Sequence, residues 1–223
     1  MKRQFRGAAF AAAPFLIGST AFAQESSRYT APRNAVVDAT GARTVEGKAG
    51  LRQVQVTGTA RSSSQQFLAR IRLIAERRGD VVFIKADIPD SERDYNYDNF
   101  SAALDLVIEV PQGINADISD GSGDTKITNV GSLEATDGSG SFSVIGAAGS
   151  VRITDGSGGI YATDVRGSVI VQNDGSGSIE VHKVGKDFRV ESKGGGSIDY
   201  ADVSGRVDIP ERRRDRRRGG EER

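Results

Sequence analysis

The residue pattern best suited to chemistry is the tetrapeptide Asp-Gly-Ser-Gly, which occurs four times, at 120–123, 137–140, 155–158 and 174–177. Carboxylate and hydroxyl oxygens at alternate positions are the donors that hard cations such as calcium prefer. Three of the copies continue to a further Ser or Asp and so offer three such oxygens. The weak candidates for metal ligands are Asp120, Ser122, Asp124, Asp137, Ser139, Ser141, Asp174, Ser176 and Ser178.

The same tetrapeptide also has a structural interpretation as a tight turn. Asp accepts a hydrogen bond from the amide two residues on, and Gly supplies a positive φ. A degenerate fifth copy, 193–196, has Lys193 in place of the aspartate, a change that a turn tolerates and a cation site does not. We therefore favour the turn, and predict no metal site and no cofactor. Calcium, in a cation-dependent binding module, remains the alternative.

Catalysis has little support in the sequence. The single histidine, His182, falls on the outward side of a predicted strand, whereas a general base needs a nucleophile and an orienting group within reach. No G-x-S-x-G nucleophile motif occurs. A polysaccharide-active enzyme is a less favoured alternative, because the predicted corners are short and Tyr161 is nearly alone as an outward aromatic residue. Arg78-Gly79-Asp80 matches an integrin-type tripeptide but is better explained as a turn. We predict that the protein is not an enzyme.

The elements that carry these turns repeat along the chain. The copies begin 17, 18, 19 and 19 residues apart, and a nearly fixed short period indicates a stack of one small unit. Branched and aromatic residues alternate with polar ones on both sides of each turn, which predicts two short strands per unit. About 18 residues are too few for a helical crossover. We therefore predict an all-β fold, a flattened right-handed parallel β-helix with an N-terminal β-rich cap. An antiparallel meander is the alternative.

The ends of the chain predict export and a charged tail. Basic residues, an apolar stretch and Ala21-Phe22-Ala23 resemble a secretory signal, 1–23, cleaved between Ala23 and Gln24. The apolar stretch is too short to span a bilayer, so we predict no transmembrane segment in the mature chain. Residues 24–34 form a leader, 35–210 the β-helix domain (cap 35–111, turns 112–210), and 211–223 a disordered Arg-rich tail. The predicted location is the periplasm, the cell surface or the medium.

The cap region carries three further predictions. The serines before Phe67 and Leu68 favour a short helix, and the apolar runs on either side of 77–80 favour a hairpin. Alternation over 104–110 predicts a strand that Pro111 ends.

Charge argues against a nucleic-acid partner. The folded part, 24–210, holds 20 basic and 26 acidic residues, whereas 211–223 holds seven Arg and four acids. The tail arginines could contact anionic lipid or lipopolysaccharide; the alternative is a solubilising end. These candidate contacts are Arg212, Arg213, Arg214, Arg216, Arg217 and Arg218.

The predicted strand 104–111 leads into the segment Ile118-Ser119-Asp120-Gly121-Ser122-Gly123. Together with the repeats and the signal sequence, this part of the chain resembles the adhesin-like, Gly-Ser-rich β-helix family of bacterial envelope proteins. The resemblance covers about 35–210. It implies a structural or adhesive module with an unidentified envelope or surface partner, and it carries over no catalytic residues.

Overall fold

The computed structural model describes residues 21–30, 32–39, 41–63, 65–88 and 101–210, the first of these ranges by its backbone alone. The described chain is all-β apart from one short helix, α1 (Gln65–Leu68). The strands are β1 (Ala21–Thr30), β2 (Asn34–Ala39), β3 (Arg43–Lys48), β4 (Gln53–Ser62), β5 (Arg72–Arg78), β6 (Val81–Asp87), β7 (Ala102–Pro111), β8 (Asn115–Asp120), β9 (Thr125–Val130), β10 (Leu133–Asp137), β11 (Phe142–Ala147), β12 (Val151–Asp155), β13 (Ile160–Val165), β14 (Val169–Asp174), β15 (Ile179–Val184), β16 (Phe188–Val190), β17 (Ile198–Val203) and β18 (Val207–Asp208).

The strands form two nine-stranded sheets. The first has the order β1-β4-β7-β3-β9-β11-β13-β15-β17, and the second the order β5-β6-β2-β8-β10-β12-β14-β16-β18. From β8 onward successive strands alternate between the sheets, and each pairs in parallel with the equivalent strand of the next repeat. The expected all-β fold with parallel strands is confirmed. Sequential strands do not pair as hairpins in this region, so the antiparallel meander is wrong.

The core lies between the two sheets because each strand turns alternate side chains inward. In β12, Val151 and Ile153 are fully buried while Arg152 is half-buried on the outside. The same positions of the neighbouring strands hold Leu133 and Ala135 on one side and Val169 and Val171 on the other. Each repeat therefore buries its apolar pair against both neighbours, which a single repeat could not do alone.

Residues 34–48 form part of the stack. Strand β2 lies between β6 and β8, and strand β3 lies between β7 and β9. Both are parallel to those neighbours. This segment therefore forms one unit of the stack. It lies between the unit of β6 and β7 and the unit of β8 and β9, which follow one another later in the chain.

Antiparallel strands close the end of the stack next to β7. β4 pairs with β7 and β1, and β5 pairs with β6 in the expected hairpin. The predicted helix is present as α1, which buries Phe67. Strand β1 begins in the last three residues of the predicted signal and continues into the predicted leader. Closing strands of this kind cover backbone groups that would otherwise form an exposed edge.

The other end of the stack has no such cover among the described residues. Tyr200, at an inward position of β17, is 46% exposed and packs against the ring of Phe188 at a centroid distance of 5.8 Å. Pro210 follows the last strand, and the tail, 211–223, lies outside the described residues. One period after Ile198 the sequence has Arg217, so the apolar pattern that would continue the stack is absent.

Stacking explains why the last residue of the turn is glycine. Gly158 has φ +138°, and a Cβ there would lie 1.7 Å from the carbonyl oxygen of Gly140 in the preceding repeat. The next residue, Gly159, has space: the nearest atom to its Cβ would be the Ser178 carbonyl oxygen at 3.9 Å. Adjacent glycines therefore have different roles, and only the first is required by the turn.

We predict that Gly158→Ala lowers the free energy of unfolding by about 3 kcal/mol, because it forces both a strained φ and a backbone clash. Gly159→Ala, the matched control, should change it by less than about 1 kcal/mol. Urea denaturation of both variants followed by circular dichroism measures the difference. Equal losses in the two variants would contradict this account of the turn.

Candidate functional site

The aspartates of the four turns face the interior. Asp120, Asp137, Asp155 and Asp174 are 5%, 2%, 0% and 0% exposed. They end strands β8, β10, β12 and β14, and the parallel register places each directly beside the next, about 4.8 Å apart. We call these four residues the aspartate column.

The turn places each carboxyl by a local hydrogen bond. The Ser122 amide donates to Asp120 Oδ1 over 2.8 Å, and the Ser157 amide donates to Asp155 Oδ1 over 3.1 Å. These are the bonds to the amide two residues on that the turn interpretation predicts. The inward direction of the side chain follows from strand alternation in three strands, since Asp120, Asp137 and Asp155 each lie two residues after a buried apolar residue. In β14 a register shift adds one residue, so that Asp174, three residues after Val171, still pairs with Asp155.

One end of the column is held by Arg43 of β3. Its guanidinium is buried, forms a salt bridge with Asp120 and donates to the carbonyl oxygens of Ala39 and Gly41 over 3.0 and 2.7 Å. Thr125 Oγ1 donates to Asp120 Oδ2 over 3.1 Å. Asp120 is therefore an ion-paired carboxylate with donors on both oxygens. Arg43 belongs to a unit without an Asp-Gly-Ser-Gly turn, so the motif does not indicate it. Thr125 occupies the position that holds Phe142 and Ile160 in the next two repeats.

The other end is held by Lys193, the residue at the degenerate fifth turn. It lies beside Asp174 in the ladder, and its Nζ is 2.5 Å from Asp174 Oδ2 and 2.6 Å from the Gly177 carbonyl oxygen. The side chains of Lys193 and Asp174 are 7% and 1% exposed. The loss of the aspartate at this turn thus supplies the cation that pairs with the last carboxylate of the column.

Within the described ranges, no cation forms a salt bridge with either central carboxyl, Asp137 or Asp155. No described donor reaches either oxygen of Asp137, nor Asp155 Oδ2. Burial is the main reason why the pKa of Asp137 is raised to about 7. A hydrogen bond to Asp120, which Asp137 can donate only as the neutral acid, and the negative charges of Asp120 and Asp155 raise it further, while Arg43 opposes the rise. Burial, followed by the negative charge of Asp174, also raises the pKa of Asp155. Hydrogen bonds from the Ser157 and Gly156 amides and the positive charge of Lys193 oppose this rise. For both residues, the surroundings shift the equilibrium toward the neutral acid relative to an exposed aspartate.

The candidate metal ligands do not converge. The aspartates are interior, whereas Asp124, Ser122, Ser141, Ser176 and Ser178 are exposed and Ser139 is half-buried. Asp124 Oδ1 instead accepts a hydrogen bond from the Ser141 amide over 3.0 Å. Over the described ranges, no group of three His, Cys, Asp or Glu side chains is placed to hold a metal ion.

The other residues singled out in the sequence lie on the outside. His182 is on the outer face of β15, with Nε2 2.8 Å from Glu180 Oε1 and its ring 6.3 Å from that of Tyr161. Arg78 is the last residue of β5, and Gly79 and Asp80 form the turn to β6, as the tripeptide's turn interpretation expects. The predicted cleavage point, Ala23/Gln24, lies within β1, and the six candidate tail arginines lie outside the described residues.

Two open grooves mark the exterior of the described chain. The first, of about 610 Å³, follows the corners after the first-sheet strands and includes Asn129, Asp164, Lys183 and Asp202, which have left-handed φ values of 51–57°. The second, of about 530 Å³, crosses the outer face of the second sheet. We call the second one the face groove; its lining includes Val36, Phe83, Asp117, Glu134, Arg152 and Ile170.

Known proteins resemble this chain in three-dimensional structure but not in sequence. No family model and no curated protein matches it. Solved structures include a "putative cell adhesion protein" from Clostridium sporogenes, at 11% identity and a TM-score of 0.41, matching 84% of this chain and 99% of that one. A "putative adhesin" from Parabacteroides merdae has 13% identity and a TM-score of 0.38, over 85% and 96%. A "putative lipid binding protein" from Parabacteroides distasonis has 13% identity and a TM-score of 0.39, and the match covers 83% of this chain and 96% of that one. Likeness at this level carries no functional argument.

A search for membrane-crossing helices found none in the described ranges with the required length and apolar composition.

We predict that Lys193→Met lowers the free energy of unfolding by about 3–5 kcal/mol, because it leaves the Asp174 carboxylate buried without its cation. Adding Asp174→Asn to that variant should restore part of the loss. Chemical denaturation at pH 7 measures all three proteins.

The matched control is Lys183→Met, which removes an exposed lysine 3.7 Å from Asp164. An exposed pair contributes about 0–1 kcal/mol, so this variant should stay near wild type. A loss as large as that of Lys193→Met would show that burial of the pair is not what matters.

Proposed function

We propose that the protein is an exported, non-enzymatic, adhesin-like interaction module of the bacterial cell envelope, located in the periplasm or at the cell surface. Its two sheets close into a flattened right-handed parallel β-helix, as the crossover preference favours. It binds its partner through the outer wall of the stack and not through the aspartates.

The proposal rests on where the charged side chains lie: the carboxyls with raised pKa values are buried between the sheets, whereas a row of other charged side chains is on the outer wall. The described carboxyls with raised pKa values, Asp137 and Asp155, are sealed between the sheets, where a substrate has no access. The outer wall instead presents side chains at the spacing of the strands. In the second sheet that outward row runs Asp117, Glu134, Arg152, Ile170, Arg189 and Asp208.

The face groove is the part of this wall best suited to binding. Phe83, Val36 and Ile170 offer half-buried apolar surface beside the charged pair of Glu134 and Arg152. Apolar area with a few oriented charges is the usual composition of a binding site. Rows repeating about every 4.8 Å can contact an extended partner many times, so individually weak contacts add up.

Export is supported by the sequence. Cleavage after Ala23 would leave 24–30 of β1 in the ladder with β4, so the fold would keep its closing strand after processing. The absence of cysteine from the chain is compatible with any redox compartment, so composition does not argue against the envelope.

The test is adhesion of bacterial cells to beads coated with the mature chain, 24–223. A double variant, Glu134→Arg with Arg152→Glu, keeps the cross-strand pair and the net charge but reverses the charge pattern of the face groove. We predict saturable adhesion that falls at least tenfold in this variant, with an unchanged melting temperature.

Lys126→Ala, on the outer face of the first sheet, is the control and should adhere as wild type does. Equal adhesion by the charge-swapped protein would exclude the face groove as the binding surface. Failure of the wild type to retain cells would contradict the proposed function.

A further inference from the structure

We infer that the aspartate column is a buried proton-binding site that holds one proton on Asp137 and one on Asp155 at mildly acidic pH and makes the stability of the stack sensitive to pH. The inference concerns the interior and stands independently of the proposed binding function.

Charge balance requires two further positive charges. The column has four carboxyls, and the described cations that contact it are Arg43 at one end and Lys193 at the other. Each cation contacts a terminal carboxylate, so the central pair would carry two uncompensated negative charges in an apolar interior. Buried groups in that position take up protons instead.

Hydrogen bonding leads to the same assignment. As carboxylates, Asp137 and Asp155 have oxygens without donors, and so does Asp174 at Oδ1. As neutral acids, Asp137 can donate its O–H to Asp120, and Asp155 can donate to Asp174, each its immediate neighbour in the ladder. The column then divides into two equivalent halves, each with a cation, a carboxylate and a neutral acid.

The surroundings of the central pair contain few other charges. Asp137 is influenced by Asp120, Asp155 and Arg43, and Asp155 by Asp174, Lys193 and the amides of its own turn. Across the core, the first-sheet strands begin with uncharged residues in the aligned positions. These are Thr125 of β9, Phe142 of β11, Ile160 of β13 and Ile179 of β15.

The direction of the pH effect follows from the raised pKa values. Between the ordinary pKa of aspartate and about 7, the folded protein keeps the proton of Asp137 while the unfolded chain has lost it. The folded state then binds more protons than the unfolded state, so stability falls as pH rises through this window. Each such proton multiplies the unfolding equilibrium constant by up to about ten per pH unit. Above the folded pKa the effect levels off.

The experiment measures unfolding from pH 4 to pH 8 for wild type, Asp137→Asn, Asp155→Asn and the double variant. Asparagine imitates the neutral acid. Relative to Asp137→Asn, the wild-type unfolding constant should rise by up to about tenfold per pH unit up to pH 7. At pH 8 the variant should be the more stable protein. Asp117→Asn, exposed on β8, should follow wild type at every pH.

Infrared spectroscopy of the wild type provides a readout that does not depend on variants folding. A protonated-carboxyl band should be present at pH 6 and lose intensity toward alkaline pH. It should weaken in Asp137→Asn and in Asp155→Asn. Absence of the band from the wild type at pH 6 would overturn the inference, as would identical pH slopes in wild type and Asp137→Asn.

A metal ion is the other means of neutralising the column, and the same samples test it. Wild-type melting temperature at pH 7 is measured with calcium and with a chelator. No shift with either supports protons as the balancing charge. A drop on chelation that calcium reverses would overturn the inference in favour of a bound cation.

Discussion

The structure depends on the close parallel stacking of equivalent backbone segments. Strands of successive repeats lie about 4.8 Å apart, and the turns stack as closely as the strands do. At Gly177 a Cβ would lie 1.4 Å from the carbonyl oxygen of Gly158, so the turn excludes a side chain there. The same stacking places equivalent side chains side by side. For valine or isoleucine this builds a core, but for aspartate it builds a row of like charges.

Compensation of that row accounts for several otherwise unrelated residues. Arg43 comes from a distant segment of sequence, Thr125 replaces an apolar residue to donate to Asp120, and Lys193 replaces the fifth aspartate. Two cations for four carboxyls leave the central pair to be neutralised by protons. The polar interior is therefore organised by electrostatics, and it is separate from the outer wall to which we assign binding.

Sequence reasoning succeeded where the structural rule is local or periodic. The 17–19-residue spacing and the alternation of apolar residues were enough to predict parallel strands, the hairpin of β5 and β6, and the role of the turns. The position of 34–48 between β6–β7 and β8–β9 could not be predicted, because it depends on pairings that no short-range pattern encodes. The ion pair of Arg43 with Asp120 depends on that position and on a unit without an Asp-Gly-Ser-Gly turn. The inward direction of the aspartates could have been found by continuing the strand alternation two residues past Ile118 or Ile153.

Neutron diffraction from a deuterated crystal of the protein grown near pH 6 would locate the protons on the four carboxyls of the column. We expect a deuteron on Asp137 and another on Asp155, with Asp120 and Asp174 ionised beside Arg43 and Lys193. Four deprotonated carboxyls, or a metal ion between them, would contradict this assignment.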